Sequence, residues 1–271
     1  MEPRNIQLFV SDVDGTLLNA QKELTEATRK AIKRLRDAGI PISLISSRPA
    51  RGLKWLIDEL DLQHACAALN GGVIIDPQLN ILSSYHLRDA LIQEILGLIE
   101  AQGLASWIYT ETDWYVPRLD AERVRHETGV VRFEPLLYKT LADLNGPIIK
   151  ITGISDNDAT IVACQDLLQR KFGERLSFSC SLPNRLEITH HDANKGTAIE
   201  AIGATIGVAP ENIATAGDGE NDILMFRNSG FSIAMGQAPV EVRRAASVTA
   251  TTSSQDGLAW AIEKFLLKHR T

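Results

Sequence analysis

A chain of 271 residues, 44% of them hydrophobic, buries a large core and has room for two folding units, which excludes disorder as a description of the whole. Its 34 acidic residues outweigh 28 basic ones for a net charge of −6, and with no long basic run a nucleic-acid partner is not expected. Three widely spaced cysteines, Cys66, Cys164 and Cys180, make neither a disulfide framework nor a zinc site and fit core thiols in a reducing compartment.

The N-terminal residues 1–5 lead directly into an apolar run without a signal-peptide pattern, and no stretch approaches the roughly 18 apolar residues of a membrane span. A cytoplasmic protein with no membrane partner is therefore expected. Residues 6–10 suit a buried strand, and residues 25–38 carry Ala27, Ala31, Leu35 and Ala38 at helical spacing before Gly39. A second strand is expected at 40–45, ending in Ser46-Ser47-Arg48-Pro49. A helix at 51–60 and a third short strand at 65–69 complete a βαβαβ alternation. Such alternation implies a doubly wound α/β parallel sheet, with ligands beyond the carboxyl ends of its strands.

A hairpin is expected around residues 70–77, and then the texture changes. Helices at 88–102 and 158–172 mix with strands at 107–110, 114–116, 148–152 and 176–179, the pattern of an α+β layer. From Leu186 the alternation resumes, with a helix at 195–206, a strand at 213–216, a helix at 222–228, a strand at 231–234 and a terminal helix at 257–269. The second module is thus an insertion: residues 1–83 and 188–271 form a core domain and residues 84–187 a cap.

Asp12-Val13-Asp14-Gly15 follows the first strand. Such a string is also common in plain turns, but two carboxylates two positions apart repel one another and lose solvation at the end of a buried strand, which calls for a cation. Gly217-Asp218-Gly219-Glu220-Asn221-Asp222 follows a later strand, so the topology sets a second acidic cluster on the same sheet edge. Converging carboxylates with a nearby hydroxyl loop suit a hard divalent ion, Mg²⁺, which retains places for water and a phosphate oxygen. Lys195 opens a helix whose N-terminus favours an anion, and it is the natural counter-charge for a phosphoryl group.

These residues together resemble the haloacid dehalogenase superfamily of phosphohydrolases, specifically its Cof-type branch with a large inserted cap, over nearly the whole chain. Asp12-Val13-Asp14-Gly15-Thr16-Leu17 is similar to the first family motif, Ser46 to the hydroxyl of the second, Lys195 to the third, and the Gly217–Asp222 loop to the fourth. The second motif departs from the usual Thr-Gly-Arg: Ser46 keeps the hydroxyl, whereas Ser47 occupies a customary glycine position. The resemblance implies that Asp12 attacks phosphorus and becomes an aspartyl phosphate, and that Asp14 protonates the leaving oxygen and later deprotonates water. It implies Mg²⁺ on Asp12, the Asp14 carbonyl and Asp218, with Asp222 steadying the metal surroundings. Ser46, Ser47, Lys195 and Asn221 are implied phosphate contacts, and Arg48 an additional substrate contact. Asp12 is expected to be ionised and Asp14, turned away from the ion, to carry a proton.

The implied substrate is a small phosphate ester, with sugar phosphates as the class-level expectation. Arg118, His126, Lys150 and Arg185 are cap candidates for its leaving group, with Trp114 and Tyr115 as flat surfaces, although an aromatic residue on a strand is more often packing than a ligand platform. His190-His191 sit on a strand, where neighbours point to opposite faces, so they are not expected to share a metal. A phosphomutase using the same intermediate and a phosphoaspartate signalling domain stay open, as does the oligomeric state. Asp14 weighs against signalling, because a stored phosphoryl group needs no acid/base beside it.

Overall fold

All five residues of β1, Leu8–Asp12, are buried. An apolar strand of this kind belongs in the middle of a parallel sheet covered on both faces. In the computed structural model, which describes residues 5–268, β1 pairs in parallel with β2 (Ile42–Ile45) on one side and with a late strand on the other. The strand runs two residues past the expected 6–10 because the ladder to β2 continues to the Asp12–Ile45 pair.

Between them α1 (Glu26–Asp37) starts at Thr25, whose hydroxyl accepts the Thr28 N–H, and buries Ala31, Ile32 and Leu35. Then come α2 (Ala50–Glu59), β3 (Cys66–Ala68), and the antiparallel strands β4 (Val73–Ile75) and β5 (Ile81–Ser84).

The chain next builds a second layer from α3 (Asp89–Ala101), β6 (Ala105–Thr110), β7 (Trp114–Val116), α4 (Glu122–Val131) and β8 (Leu136–Leu137). It continues through β9 (Ile148–Ile154), α5 (Asp158–Phe172), β10 (Leu176–Leu182) and β11 (Arg185–His190). These strands order as β10-β11-β9-β6-β7-β8, antiparallel except for the last pair. Alternation along β11 sends Leu186 and Ile188 into the cluster under α3 and α5, while Arg185 and Glu187 face the other way. On that other face Trp107, Tyr109 and Trp114 join the apolar cluster of the core.

The core resumes with α6 (Lys195–Thr205), β12 (Ile213–Gly217), α7 (Ile223–Arg227), β13 (Phe231–Ala234), α8 (Val240–Ala245), β14 (Val248–Thr249) and α9 (Gly257–Ala261). The eight-stranded sheet orders as β14-β13-β12-β1-β2-β3-β4-β5, parallel from β14 to β3. The carboxyl ends of β12, β1, β2 and β3 therefore lie side by side.

Two differences from the sequence reading matter for the site. All of β11 pairs within the second sheet, so that layer extends three residues past the expected boundary at 187. Helix α4, not foreseen, packs on α2, with the Arg132 guanidinium 3.6 Å over the Trp55 ring. The terminal helix reaches Leu267 through a π-helical turn after α9; position 269 lies outside the described residues, as do residues 1–4. No described helix is long and apolar enough to cross a membrane. The three cysteines are free thiols, with Cys66 and Cys164 buried and Cys180 half-buried.

Candidate active site

The turn after β1 is set by its own backbone. Leu18 N–H donates to Val13 O at 2.8 Å, Gly15 N–H donates to Leu18 O at 3.1 Å, and Leu17 and Leu18 anchor the turn in the core. Gly15 has φ +88°, and a Cβ there would run into the Asp218 carboxylate, so only glycine lets the two acidic loops approach.

Asp12, only 6% exposed, meets Lys195 at the end of β1, where Nζ donates to Asp12 Oδ1 at 2.6 Å and to Asp222 Oδ1 at 2.6 Å. Asp222 uses its second oxygen to accept the N–H groups of Asp218 and Gly219, both at 2.8 Å, and so shapes the Gly217–Asp222 loop. Asp218 accepts from Thr16 Oγ1 at 3.2 Å and Gln237 Nε2 at 3.3 Å. Oxygen atoms of Asp12, Asp218 and Asp222 all lie within 4.8 Å of one another, close enough to share a metal ion.

Three carboxylates against one ammonium leave this cluster short of positive charge. Burial, reinforced by Asp222 and Asp218, raises the Asp12 carboxyl well above its ordinary range despite Lys195. Burial and Asp222 push Asp218 up to about 6. Lys195 loses solvation, yet its two carboxylate partners more than offset this and raise it. A donor set of buried oxygens with unbalanced negative charge fits a hard divalent cation.

Asp14 turns away from that cluster. Arg48 grips it from both sides, Nε to Oδ2 at 2.7 Å and Nη2 to Oδ1 at 2.8 Å, while Lys22 Nζ sits 2.7 Å from Oδ1. Burial alone would raise this carboxyl, but Arg48 and then Lys22 bring it down to about 2. Without a bound cation Asp14 is thus the firm carboxylate and Asp12 the one that holds a proton more readily; the expected division, with Asp12 ionised, is one that a metal would impose.

The second-motif residues have partners within the protein or lie on the cavity wall. Arg48 spends its remaining arm on Val130 O at 2.8 Å, at the end of α4, so it holds Asp14 and the cap and is not free for substrate. Ser46 is 1% exposed, and its Oγ accepts the Arg48 N–H at 3.2 Å behind the cavity wall. Ser47 lines the cavity, has no positive φ, and needs no glycine freedom here. The N-terminus of α6 carries no anion-ready amides at Gly196 and Thr197, because Asn194 Oδ1 accepts both.

Core and cap enclose a cavity of about 280 Å³ over Asp12, Asp14 and Asp218. Of the cap candidates, His126, Lys150 and Arg185 line it. Arg118 does not; it is exposed and pairs with Asp120. Trp114 and Tyr115 are fully buried packing residues, Trp114 against Trp107, Tyr109 and Phe133, and Tyr115 with its hydroxyl accepting Asn145 N–H. His190 stacks on Tyr85 with ring centroids 5.5 Å apart, and its Nδ1 accepts Asp192 N–H.

Asn70 and Glu187 went unforeseen. Asn221 donates to Asn70 Oδ1 at 3.1 Å, Asn70 Nδ2 donates to Glu187, and Glu187 binds Lys150 at 2.9 Å; Lys150 then donates to Ser47 O at 2.8 Å. This buried chain ties three site loops to β9 and β11. Asn70 obeys the same signal as Ser46, being the polar residue just past a parallel strand, and it takes φ +59°, which asparagine tolerates. Glu187 is a lone acid between apolar Leu186 and Ile188, a sign of a buried partner.

The model of the haloacid dehalogenase-like hydrolases matches residues 9–262. The chain is 32% identical over 255 residues to a Haemophilus influenzae protein provisionally named a phosphatase, covering 94% of this chain and 96% of that one. It is 26% identical over 266 residues to the 5-amino-6-(5-phospho-D-ribitylamino)uracil phosphatase YcsE of Bacillus subtilis, covering 98% of each. A haloacid dehalogenase-like hydrolase from Bacteroides thetaiotaomicron superposes with a TM-score of 0.83 at 26% identity, over 96% of this chain and 99% of that one. The chain belongs to the haloacid dehalogenase-like hydrolase family, and it is a phosphatase of that family.

Proposed function

We propose that the protein removes phosphate from small phosphomonoesters through a phosphoryl group carried transiently on Asp12. One observation carries this reading: Asp12 stands at the end of β1 within an acidic cluster, with the acid/base candidate Asp14 two residues away in a separate, basic setting. Asp12, the Asp14 carbonyl and Asp218 would hold Mg²⁺, with Asp222 shaping the loop. When bound, that ion supplies the charge neutralisation that lets a carboxylate approach a phosphate dianion.

Asp12 attacks phosphorus, forming a new P–O bond as the ester P–O bond breaks, and the departing oxygen takes a proton from Asp14. Water then attacks the phosphoryl group on Asp12, gives its proton to Asp14, and regenerates the Asp12 carboxylate as phosphate leaves. Arg48 and Lys22 favour the carboxylate form of Asp14, the one this second half requires. Its acid role requires the hold of a counter-charge to weaken, and Lys22, 41% exposed where Arg48 is buried, is the partner that solvent screens. Lys195 holds Asp12 and is the proposed counter-charge for the phosphoryl oxygens.

A cavity of about 280 Å³ roofed by the cap suits a small metabolite, and sugar or polyol phosphates are the proposed class. The Bacillus relative, named for a substrate with a phosphorylated ribityl chain, supports that choice. Free thiols support a cytoplasmic setting.

The test is phosphate release from a panel of small phosphomonoesters with Mg²⁺ and with EDTA, for wild type and Asp12→Asn. Release that needs the metal and vanishes in the variant is expected; undiminished release from Asp12→Asn would overturn the covalent route.

A further inference from the structure

The cavity has two chemically different ends. Its floor carries the acidic cluster and Asp14. Its cap wall presents Tyr109, His126, Glu127, Lys150, Arg185 and Glu187.

The charges on that wall are already matched. Arg185 Nη2 binds Glu127 Oε2 at 2.6 Å, and Lys150 Nζ binds Glu187 Oε1 at 2.9 Å. Burial raises the Tyr109 phenol well above its ordinary value, which keeps it neutral. The floor offers no spare cation either, since Arg48 is spent on Asp14 and Val130, Lys195 on Asp12 and Asp222, and Lys22 on Asp14. A second anionic group on a substrate would thus meet Glu127 and Glu187 with every facing cation taken, and like charges in a desolvated site are strongly disfavoured.

Arg185 also has something left to give. Its Nε is buried without a hydrogen-bond partner, while the adjoining Glu127 carboxylate is an acceptor. A fixed donor beside a fixed acceptor matches a hydroxyl, which both gives and takes a hydrogen bond. We propose that the Arg185–Glu127 pair reads the leaving group, selecting an uncharged, hydroxyl-bearing ester over one that carries a second anion. The inference rests on the phosphohydrolase reading above and adds the residues and the charge rule that set its substrate range.

The test compares D-glucitol 6-phosphate with 6-phospho-D-gluconate, which differ at the far terminus as alcohol against carboxylate, with p-nitrophenyl phosphate measured alongside. Assays run with Mg²⁺ at pH 8. In wild type kcat/KM favours the glucitol ester by at least about tenfold. In Glu127→Gln the freed Arg185 charge is offered to the carboxylate and the ratio falls toward unity. Because both esters meet the same enzyme sample, the ratio is insensitive to the fraction that folds. Arg185→Lys keeps the charge but loses the fork, so discrimination against gluconate persists while the glucitol ester loses more kcat/KM than p-nitrophenyl phosphate does.

Equal use of both esters by wild type, or a ratio unmoved in Glu127→Gln, overturns the proposal. Turnover of p-nitrophenyl phosphate with neither polyol ester accepted also overturns it, while leaving the phosphatase reading intact. Failure to release phosphate from any of the three sinks that reading and the inference with it.

Discussion

Arg48 holds Asp14 through two parallel hydrogen bonds of 2.7 and 2.8 Å, and the same guanidinium reaches Val130 O in the cap. The grip is the bidentate fork that suits arginine and no other cation, and it links the acid/base candidate to the layer above it.

Its energetic consequence has a definite sign. The folded Asp14 carboxyl titrates at about 2, below its ordinary 3.8, so the folded state favours the carboxylate. The contribution is fully present above about pH 4 and is lost as pH falls through 2, with an upper size of about 2 kcal/mol because part of the side chain meets solvent. Urea unfolding at pH 5 and pH 2 should show wild type losing that much more stability than Asp14→Asn. Equal losses would mean that Arg48 does not favour the ionised form.

The acidic cluster behaves in the opposite way. Asp218 is pushed up to about 6, so its folded state prefers the proton, and without a cation stability declines as pH rises from about 4 through 6. A divalent ion reverses this by favouring the carboxylates. Mg²⁺ should therefore raise Tm more at pH 7.5 than at pH 5. At a hundredfold excess over Kd the gain is about 2.7 kcal/mol, on the order of 5–10 °C for a chain of this size. Lys195→Met, which strips Asp12 and Asp222 of their shared ammonium, should cost roughly 3–5 kcal/mol without metal and at least about 10²-fold in kcat with it, and should enlarge the Mg²⁺ increment. An unchanged thermal response to Mg²⁺ across this pH range would count against a cation at the cluster.

How far these features could be read from sequence depended on the range of the interactions. Asp12, Asp14 and Asp218 were legible because an apolar strand followed by a polar loop locates one sheet edge from local pattern alone. Asp14 was expected to turn away from the metal and carry a proton; Arg48, which favours its carboxylate form when no cation is bound, is 34 positions away and was assigned to substrate. Trp114 and Tyr115 were candidate surfaces for a ring, with packing the commoner role of an aromatic residue on a strand, and a strand with a layer on each face buries both. Helix α4 escaped notice because Glu122–Val131 includes Gly129 and two β-branched residues at its end, which blur the helical stripe. Glu187 contacts Asn70 across 117 positions, and no local pattern announces such a pairing.

That distant network leads to the last prediction. Lys150 and Glu187 are 2% and 3% exposed and pair at 2.9 Å within the cap, and each sends one further bond into the core, Lys150 to Ser47 O and Glu187 to the Asn70 amide. The pair neutralises itself inside the cap, so its outward bonds are what report contact with the site loops. Glu187 loses solvation in burial, but Lys150 more than compensates and holds its carboxyl below the ordinary range. Removing either charge strands the other in a buried place, which costs about 3–5 kcal/mol, whereas removing both relieves that penalty. Lys150→Met and Glu187→Gln should each lower stability by about that amount in urea unfolding at pH 7, and the double variant should lose clearly less than the two losses added. Even where the double variant regains stability, it lacks the ammonium on Ser47 O and the carboxylate on Asn70. Its kcat/KM should therefore stay depressed, since the loops bearing Ser47 and Asn221 lose their anchor to the cap. Strict additivity of the single losses would show that the two groups are not coupled, and full catalytic recovery alongside stability would show that the outward bonds do not position the site.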